Sequence, residues 1–139
     1  MIFVNLPVTD LGASRAFYTA LGFRVNEAFS DDDVAAIVVS DTIVVMLLTR
    51  VRFADFVTGA VGDPRDGPTT ITCLSAESPA EVDRLVSTAV AAGGSGWLPK
   101  MTEGPMYGHS FADPDGHVWE VLHMDLGDAQ AEADGRPPT

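Results

Sequence analysis

The side chains best suited to chemistry lie in residues 113–123, around a turn and the strand-like segment that follows it. Asp113-Pro114-Asp115-Gly116 is a tight-turn sequence, because Pro presets φ for the turn and Gly accepts a positive φ. Residues 118–122 are then apolar except for one carboxylate, Glu120. A lone carboxylate in such a strand is costly to bury unless something pairs with it. Glu120 is therefore a candidate functional residue.

Two further polar side chains precede the turn, in a run of apolar and aromatic residues. A hairpin closed by a two-residue loop would place His109 opposite Glu120 and Tyr107 opposite Leu122. Because directly opposed residues share one face of a sheet, we predict a constellation of Glu120, His109 and Tyr107. A Glu–His pair is suited to general acid–base catalysis, or to holding a polar or cationic ligand. A bulged turn would instead move His109 to the other face.

Composition limits the class of partner. The 139 residues include eight Lys and Arg against twenty Asp and Glu, a formal net charge of -12. This balance argues against a nucleic-acid partner, which requires a basic surface. It favours cationic ligands by long-range attraction, or it serves solubility alone. No basic leader and no apolar segment of about 20 residues is visible, so we expect a cytoplasmic protein without a membrane partner.

Hydrophobic periodicity predicts a weak tandem repeat, in which each copy begins with a strand and a helix. Asp10 and Ser78 are the predicted N-caps, and Gly22 is the predicted stop of the first helix. Residues 126–139 are predicted to be a disordered tail. The predicted strands are 2–8, 23–29, 34–39 and 43–48 in the first copy, and 70–75, 97–101, 106–112 and 118–124 in the second; the predicted helices are 11–21, 51–57 and 79–92.

Two motifs carry a resemblance to a known family. The first is Leu6-Pro7-Val8-Thr9-Asp10-Leu11, followed by Ser14, Phe17-Tyr18 and Leu21-Gly22-Phe23; the second is Asp113-Pro114-Asp115-Gly116 with Glu120. Over roughly residues 2–125 the chain resembles the glyoxalase/bleomycin-resistance/extradiol-dioxygenase superfamily, which has the vicinal oxygen chelate fold. The resemblance implies an α+β fold of two tandem βαβββ modules forming curled mixed sheets around a cavity. It implies one domain over residues 1–125, with modules at about 1–60 and 68–125, and a homodimer.

The same resemblance implies a divalent metal ion, bound by His or Gln in the first strand of a module and Glu in its last strand. Carried over to this sequence, the first-strand positions are Phe3 and Ile71. The last-strand positions are Val45 or Met46, and Glu120. Only Glu120 is a hard-metal ligand, and one carboxylate does not make a site. We therefore expect no metal and no other cofactor, with a divalent ion as the alternative.

Strand alternation predicts which side chains face a cavity. Phe3 and Asn5 point inward in the first strand of module one, and Cys73 does so in the equivalent strand of module two. Cys73 is expected to be a small buried hydrophobe rather than a nucleophile, because no basic residue stands beside it. Trp97 is either core or a wall on which a ligand stacks, and Met106 follows a loop that could form the rim. These five residues are the predicted ligand-binding set.

Three functions remain open. The first is a metal-free protein that binds and sequesters a small molecule, possibly a cationic drug, as the resistance members of the superfamily do. The second is a glyoxalase-like lyase or isomerase, or a dioxygenase-like enzyme, using Glu120 with His109 or Tyr107. The third is a structural or regulatory module with no small-molecule ligand. The sequence does not decide whether the chain is an enzyme, and we rank the binding protein first.

Overall fold

The chain folds as two similar halves, each a strand and a helix followed by further strands. The computed structural model describes residues 1–125 and residue 135. The predicted disorder of residues 126–139 lies, except for residue 135, outside the described residues. The elements of the first half are β1 (Ile2–Val8), α1 (Leu11–Ala20), β2 (Arg24–Val25), a 3-10 turn (Glu27–Phe29), β3 (Val34–Ser40), β4 (Ile43–Thr49) and α2 (Arg50–Ala54); those of the second are β5 (Ile71–Ser75), α3 (Pro79–Ala91), β6 (Ser95–Gly96), β7 (Met101–Glu103), β8 (Met106–Ala112) and β9 (Val118–Met124).

Each half contributes one mixed sheet. The first sheet has the order β1-β4-β3-β2, and the second has the order β5-β9-β8-β6, with β7 also paired to β8. In both sheets the first strand runs parallel to the last strand, and the remaining pairs are antiparallel. This arrangement confirms the predicted α+β fold of two tandem βαβββ modules. No helix among the described residues is both long and apolar enough to cross a bilayer.

Side-chain caps explain where the two long helices begin. The Asp10 carboxylate accepts a hydrogen bond from the backbone N–H of Ala13 at 3.0 Å, as predicted. The Ser78 hydroxyl accepts from Glu81 N at 3.1 Å, and the Glu81 carboxylate accepts from Glu77 N at 2.6 Å. This pair is similar to a capping box, except that the Glu81 carboxylate binds the N–H of the residue before the N-cap and not that of Ser78 itself. The first helix ends before Gly22, whose φ of 103° few other residues adopt.

Both sheets bury one face in a single hydrophobic core that also contains α1 and α3. Four aromatic rings join the halves there: Phe17 and Tyr18 of α1 lie 6.1 Å from Phe111 and 5.7 Å from Trp119, respectively, between ring centroids. The opposite face of each sheet lies on the outside of the chain. We call these the first open face, which carries Phe3, Asn5, Pro7 and Met46, and the second open face, which carries Ile71, Cys73, Ser75, Ser110, Glu120 and Leu122.

Two predicted strands are much shorter than expected. Within 23–29 only Arg24–Val25 is a strand, because the Asn26 side chain accepts from Ala28 N at 3.1 Å and turns the chain into the 3-10 helix. Within 97–101 only Met101 is in a strand, because β6 ends at Gly96 and β7 begins at Met101. Pro99 has no N–H to give to a sheet, and Leu98 N donates to the Ser110 hydroxyl instead, at 2.9 Å.

Candidate functional site

The turn between β8 and β9 has a different loop length from the predicted one. Asp113 N donates to His117 O and Gly116 N donates to Asp113 O, both at 2.9 Å, and Gly116 has a φ of 91°. The loop therefore holds three residues, with the glycine in the left-handed conformation that closes such turns. The extra residue shifts the pairing by one, so that Ser110 lies opposite Glu120 and His109 opposite Val121. The predicted register is wrong, and the bulged alternative is the one observed.

The shifted register separates the predicted catalytic residues. Tyr107 lies opposite His123 and His109 opposite Val121, on the face that packs against α3 rather than on the second open face. The Tyr107 hydroxyl donates to the Asp83 carboxylate on α3 at 2.6 Å, and Lys100 Nζ lies 3.1 Å from the same oxygen. These two groups hold the pKa of Asp83 below its ordinary value. The structure thus does not pair Glu120 with His109 or Tyr107 across the strands, although His109 and Glu120 both border one small pocket.

Glu120 lies instead between two small side chains on the second open face. Its Cα partners are Cys73 on β5 and Ser110 on β8. The Glu120 side chain is half-buried, and it forms no hydrogen bond or ion pair with any residue that the structure describes. It borders a pocket of about 60 Å³ that is otherwise mostly apolar, with Leu98, Pro99, Met101 and Leu122 in its wall.

A glycine makes room for the apolar wall of this pocket. A Cβ atom at Gly108 would lie 3.1 Å from Leu122 Cδ1 and 3.6 Å from Met101 Cε. Without a side chain at Gly108, the Leu122 and Met101 side chains approach each other over the strand. The Ser110 hydroxyl holds Leu98 from below, by accepting from its backbone N–H at 2.9 Å. The sequence signal for this site was Gly108, a glycine inside the otherwise strand-like residues 106–112.

Cys73 is exposed next to Glu120, which corrects the expectation that it is a buried hydrophobe. Partial burial and the negative charge of Glu120 raise the pKa of the Cys73 thiol. A raised pKa keeps the thiol protonated and makes it a poor nucleophile, in agreement with the expectation that Cys73 is not a nucleophile. Cys73 also borders a second, wider pocket of about 370 Å³, together with Ser75, Glu77, Leu122 and Met124.

The other predicted ligand-binding residues lie apart from Glu120. Phe3 and Asn5 are on the first open face, and neither borders the two pockets of the second. Asn5 borders a separate pocket of about 430 Å³ beside β1 and α2. Trp97 is 46% exposed, so it is not core, and Met106 is half-buried; neither lines the Glu120 pockets. Of the predicted set, only Cys73 neighbours Glu120.

The residues at the family's metal positions do not fit a divalent ion. Phe3 and Ile71 occupy the first-strand positions. Met46, paired with Asn5, occupies the last-strand position of the first module, since Val45 is buried on the helix side. Apart from Glu120, the side chains at the metal positions are therefore the thioether of Met46 and the hydrocarbon side chains of Phe3 and Ile71. Within the part of the chain that the structure describes, no three His, Cys, Asp or Glu side chains are grouped so as to hold a metal ion.

A polar network that sequence reasoning missed joins the two motifs. The Asp115 carboxylate accepts from Thr9 N at 2.9 Å and from the Ser14 hydroxyl at 3.3 Å. The Tyr18 hydroxyl donates to the Asp113 carboxylate at 2.6 Å and accepts from the Trp119 indole N–H at 3.0 Å. The signal was present in the sequence, because the two motifs occur together. Their most distinctive polar residues thus connect the modules and do not point into a pocket.

The comparisons with known proteins agree with this fold. The sequence model of the family described as "Bleomycin resistance protein-like N-terminal" matches residues 1–40. No curated protein sequence matches the chain significantly. A hypothetical protein from S. aureus of known structure is 28% identical, with a TM-score of 0.76 over 88% of this chain and 92% of that chain.

Two other similar structures have printed names that point the same way. A glyoxalase-related enzyme from Fulvimarina pelagi is 24% identical, with a TM-score of 0.74 over 88% of this chain and 86% of that chain. A glyoxalase/bleomycin resistance protein/dioxygenase family enzyme from Burkholderia phytofirmans is 19% identical, with a TM-score of 0.71 over 88% of this chain and 96% of that chain. The first 40 residues thus match a bleomycin resistance protein-like family model, and the chain as a whole has the fold of glyoxalase/bleomycin resistance/dioxygenase family proteins, which is consistent with the vicinal oxygen chelate superfamily.

Proposed function

We propose that this chain binds a small molecule through a cationic group on the second open face, with Glu120 as the charged anchor. One observation carries the proposal: Glu120 is half-buried in an apolar pocket and has no donor among the described residues. The carboxylate oxygens of Glu120 remain accessible to solvent, so a ligand ammonium or guanidinium group can reach them and form a charge-assisted hydrogen bond. The apolar wall would take the hydrocarbon part of the same ligand.

The charges around the pocket support a cationic ligand. Among the described residues, no Lys or Arg borders either pocket of the second open face, whereas His109 borders the narrower pocket and His123 the wider one. Lys100, which lies between two wall residues, is directed to Asp83 on the other side of the sheet. The formal net charge of -12 would also attract cations to the whole molecule. Acid–base catalysis by Glu120 has less support, since the register places His109 and Tyr107 on the opposite face; His109 borders the same small pocket as Glu120 but forms no hydrogen bond with it.

The test is calorimetric titration with octylamine, which is cationic at neutral pH, and with octanol as the uncharged counterpart. We expect saturable one-to-one binding of octylamine and at least ten-fold weaker binding of octanol. Glu120→Gln should weaken octylamine binding by about ten-fold or more, because a hydrogen bond to a charged group contributes about 1.5–3 kcal/mol. Octanol binding should not change.

The matched control is Glu103→Gln, which removes the same charge from an exposed position that borders neither pocket. This variant should bind octylamine like the wild type. Equal losses in both variants would mean that only the overall charge of the protein matters, and the proposed anchor would be abandoned.

We further propose that the protein works as a metal-free cytoplasmic homodimer. The donor set at the family's metal positions, described above, supports the absence of a resident metal. Phe3 on the first open face and Ile71 on the second are each 57% exposed, and exposed apolar side chains of this size favour association. A single cysteine, with no disulfide framework, is compatible with a reducing compartment.

A further inference from the structure

The second open face carries a second carboxylate at a defined distance from Glu120. Glu77 follows β5 directly and borders the wider pocket, whereas Glu120 borders the narrower one. Leu122 lies in the wall of both pockets, so the two are neighbours on one surface. Like Glu120, Glu77 forms no side-chain ion pair with any residue that the structure describes; its backbone N–H is the group bound to Glu81.

The strand register sets the separation of the two carboxylates. Cys73 is paired with Glu120 and Ser75 with Leu122, in parallel strands. β5 ends at Ser75, and Glu77 lies two residues later, in a bend. At about 3.3 Å per residue, with roughly 4.8 Å between neighbouring strands, a straight continuation of β5 would put the two positions roughly 14 Å apart, and the bend makes this an upper limit.

The surface between the two carboxylates is mostly apolar and contains two sulfur atoms. It is formed by Cys73, Leu122 and Met124, and no described Lys or Arg borders it. His123 also borders the wider pocket, but its Nδ1 lies 3.0 Å from Ala76 O, where it is engaged with the backbone. The groove thus presents negative charge at both ends and hydrocarbon and sulfur in the middle. This pattern is complementary to a chain of methylene groups with a positive charge at each end.

We propose that the second open face binds a linear dication, a long-chain diamine or polyamine whose two ammonium groups contact Glu120 and Glu77. The inference rests on the proposed function, since Glu120 anchors one end in both. A second charge bound by Glu77 would act at a high effective concentration once the first charge is held. The upper limit of about 14 Å on the separation of the carboxylates limits the preferred length to roughly ten methylene groups or fewer.

The experiment is a calorimetric series with 1,4-diaminobutane, 1,6-diaminohexane, 1,8-diaminooctane and 1,10-diaminodecane, each compared with the monoamine of the same carbon number. We expect the affinity of the diamines to rise steeply with length and the best diamine to bind at least ten-fold more tightly than its monoamine. Glu77→Gln should reduce that diamine to the affinity of the monoamine, and should leave monoamine binding unchanged. Glu120→Gln should weaken both ligands, and Glu103→Gln neither.

Different results would overturn the binding of a dication and the role of Glu120 as a single anchor. If Glu77→Gln has no effect, or if diamines and monoamines of equal length bind equally, the dication inference is overturned. The proposed anchor survives that result as long as Glu120→Gln still weakens octylamine. If octylamine binding does not depend on Glu120, the proposed function itself is wrong, and the dication inference falls with it.

Discussion

Asp113 illustrates how a motif residue can be structural and still be titratable. Its side chain is only 3% exposed, although one of its oxygens accepts from Tyr18 and the other from the backbone N–H groups of Asp115 and His117. Burial raises the pKa of Asp113; the charge of His117 and these hydrogen bonds oppose that rise without cancelling it. The folded protein therefore holds the proton of this carboxyl more tightly than the unfolded chain does.

A pH dependence with a definite sign follows for Asp113. Because its folded-state pKa is raised, the unfolded state releases this proton first as pH increases. The stability of the wild type relative to Asp113→Asn should therefore be greatest below about pH 3.9, the ordinary pKa of an aspartate, and should fall as pH rises through the folded-state pKa. The measurement is the free energy of unfolding by urea for both proteins from pH 3.5 to 8.

The difference in stability between the wild type and Asp113→Asn isolates the titration of Asp113, because carboxyl groups remote from it titrate alike in the two proteins. Asp63, for example, has its pKa lowered to about 2 by Arg65, and should contribute equally to both curves. A wild type that gains stability relative to the variant as pH rises would show that hydrogen bonding outweighs burial at Asp113.

The hairpin turn between β8 and β9 acts on the helix that begins 100 residues earlier in the chain. Asp115 is 6% exposed, and its two carboxylate oxygens accept from Thr9 N and the Ser14 hydroxyl at the first turn of α1. A negative charge there also complements the positive end of the helix dipole. The turn of the second module thus completes the helix start of the first.

Asp115→Ala should therefore destabilise the whole fold. Removal of the carboxylate leaves Thr9 N–H and the buried Ser14 hydroxyl without an acceptor, and an unsatisfied buried group costs about 1–3 kcal/mol. The expected result is a lower urea midpoint with an unchanged m value. The unfolding is measured by tryptophan fluorescence and circular dichroism. Asp41→Ala, at the exposed turn between β3 and β4, is the control and should have no effect. Equal midpoints for both variants would contradict the structural role of Asp115.

The two open faces concern the molecule as a whole, because each sheet packs its helix side into the core and leaves part of its other side exposed. The strands at the sheet edges, β1 and β5, carry Phe3 and Ile71, which remain exposed in the single chain. The proposed homodimer would cover such side chains. Sedimentation at micromolar concentration should give about twice the chain mass of 14.7 kDa.

Phe3→Ser should shift that equilibrium towards the single chain, because it removes an exposed apolar side chain and no core contact. Val51→Ser, a highly exposed apolar residue of α2 outside both open faces, is the control and should sediment like the wild type. If the wild type sediments as a single chain at all concentrations, the proposed homodimer is wrong.

Local sequence determined the elements whose signals are themselves local. Asp10 and Ser78 cap their helices as predicted, because an N-cap depends on a side chain and backbone groups three residues away. Apolar alternation placed Phe3 and Asn5 on one face of β1 and Cys73 on the equivalent face of β5. The paired motifs carried the resemblance that implied the α+β fold of two tandem modules, and the two sheets confirm that fold.

Tertiary structure alone decided which polar side chains meet. One additional residue in the loop that ends at Gly116 changed the partner of Glu120 from His109 to Ser110, because side chains alternate between the faces of a strand with a period of two. The same shift directed Tyr107 to Asp83, more than 20 positions away along the chain. A strand register depends on the geometry of its turn, and composition constrains that geometry only weakly. The sequence therefore determined the two long helices, most of the strands and the faces of β1 and β5, whereas the fold determined the face of β8 and the neighbours of Glu120.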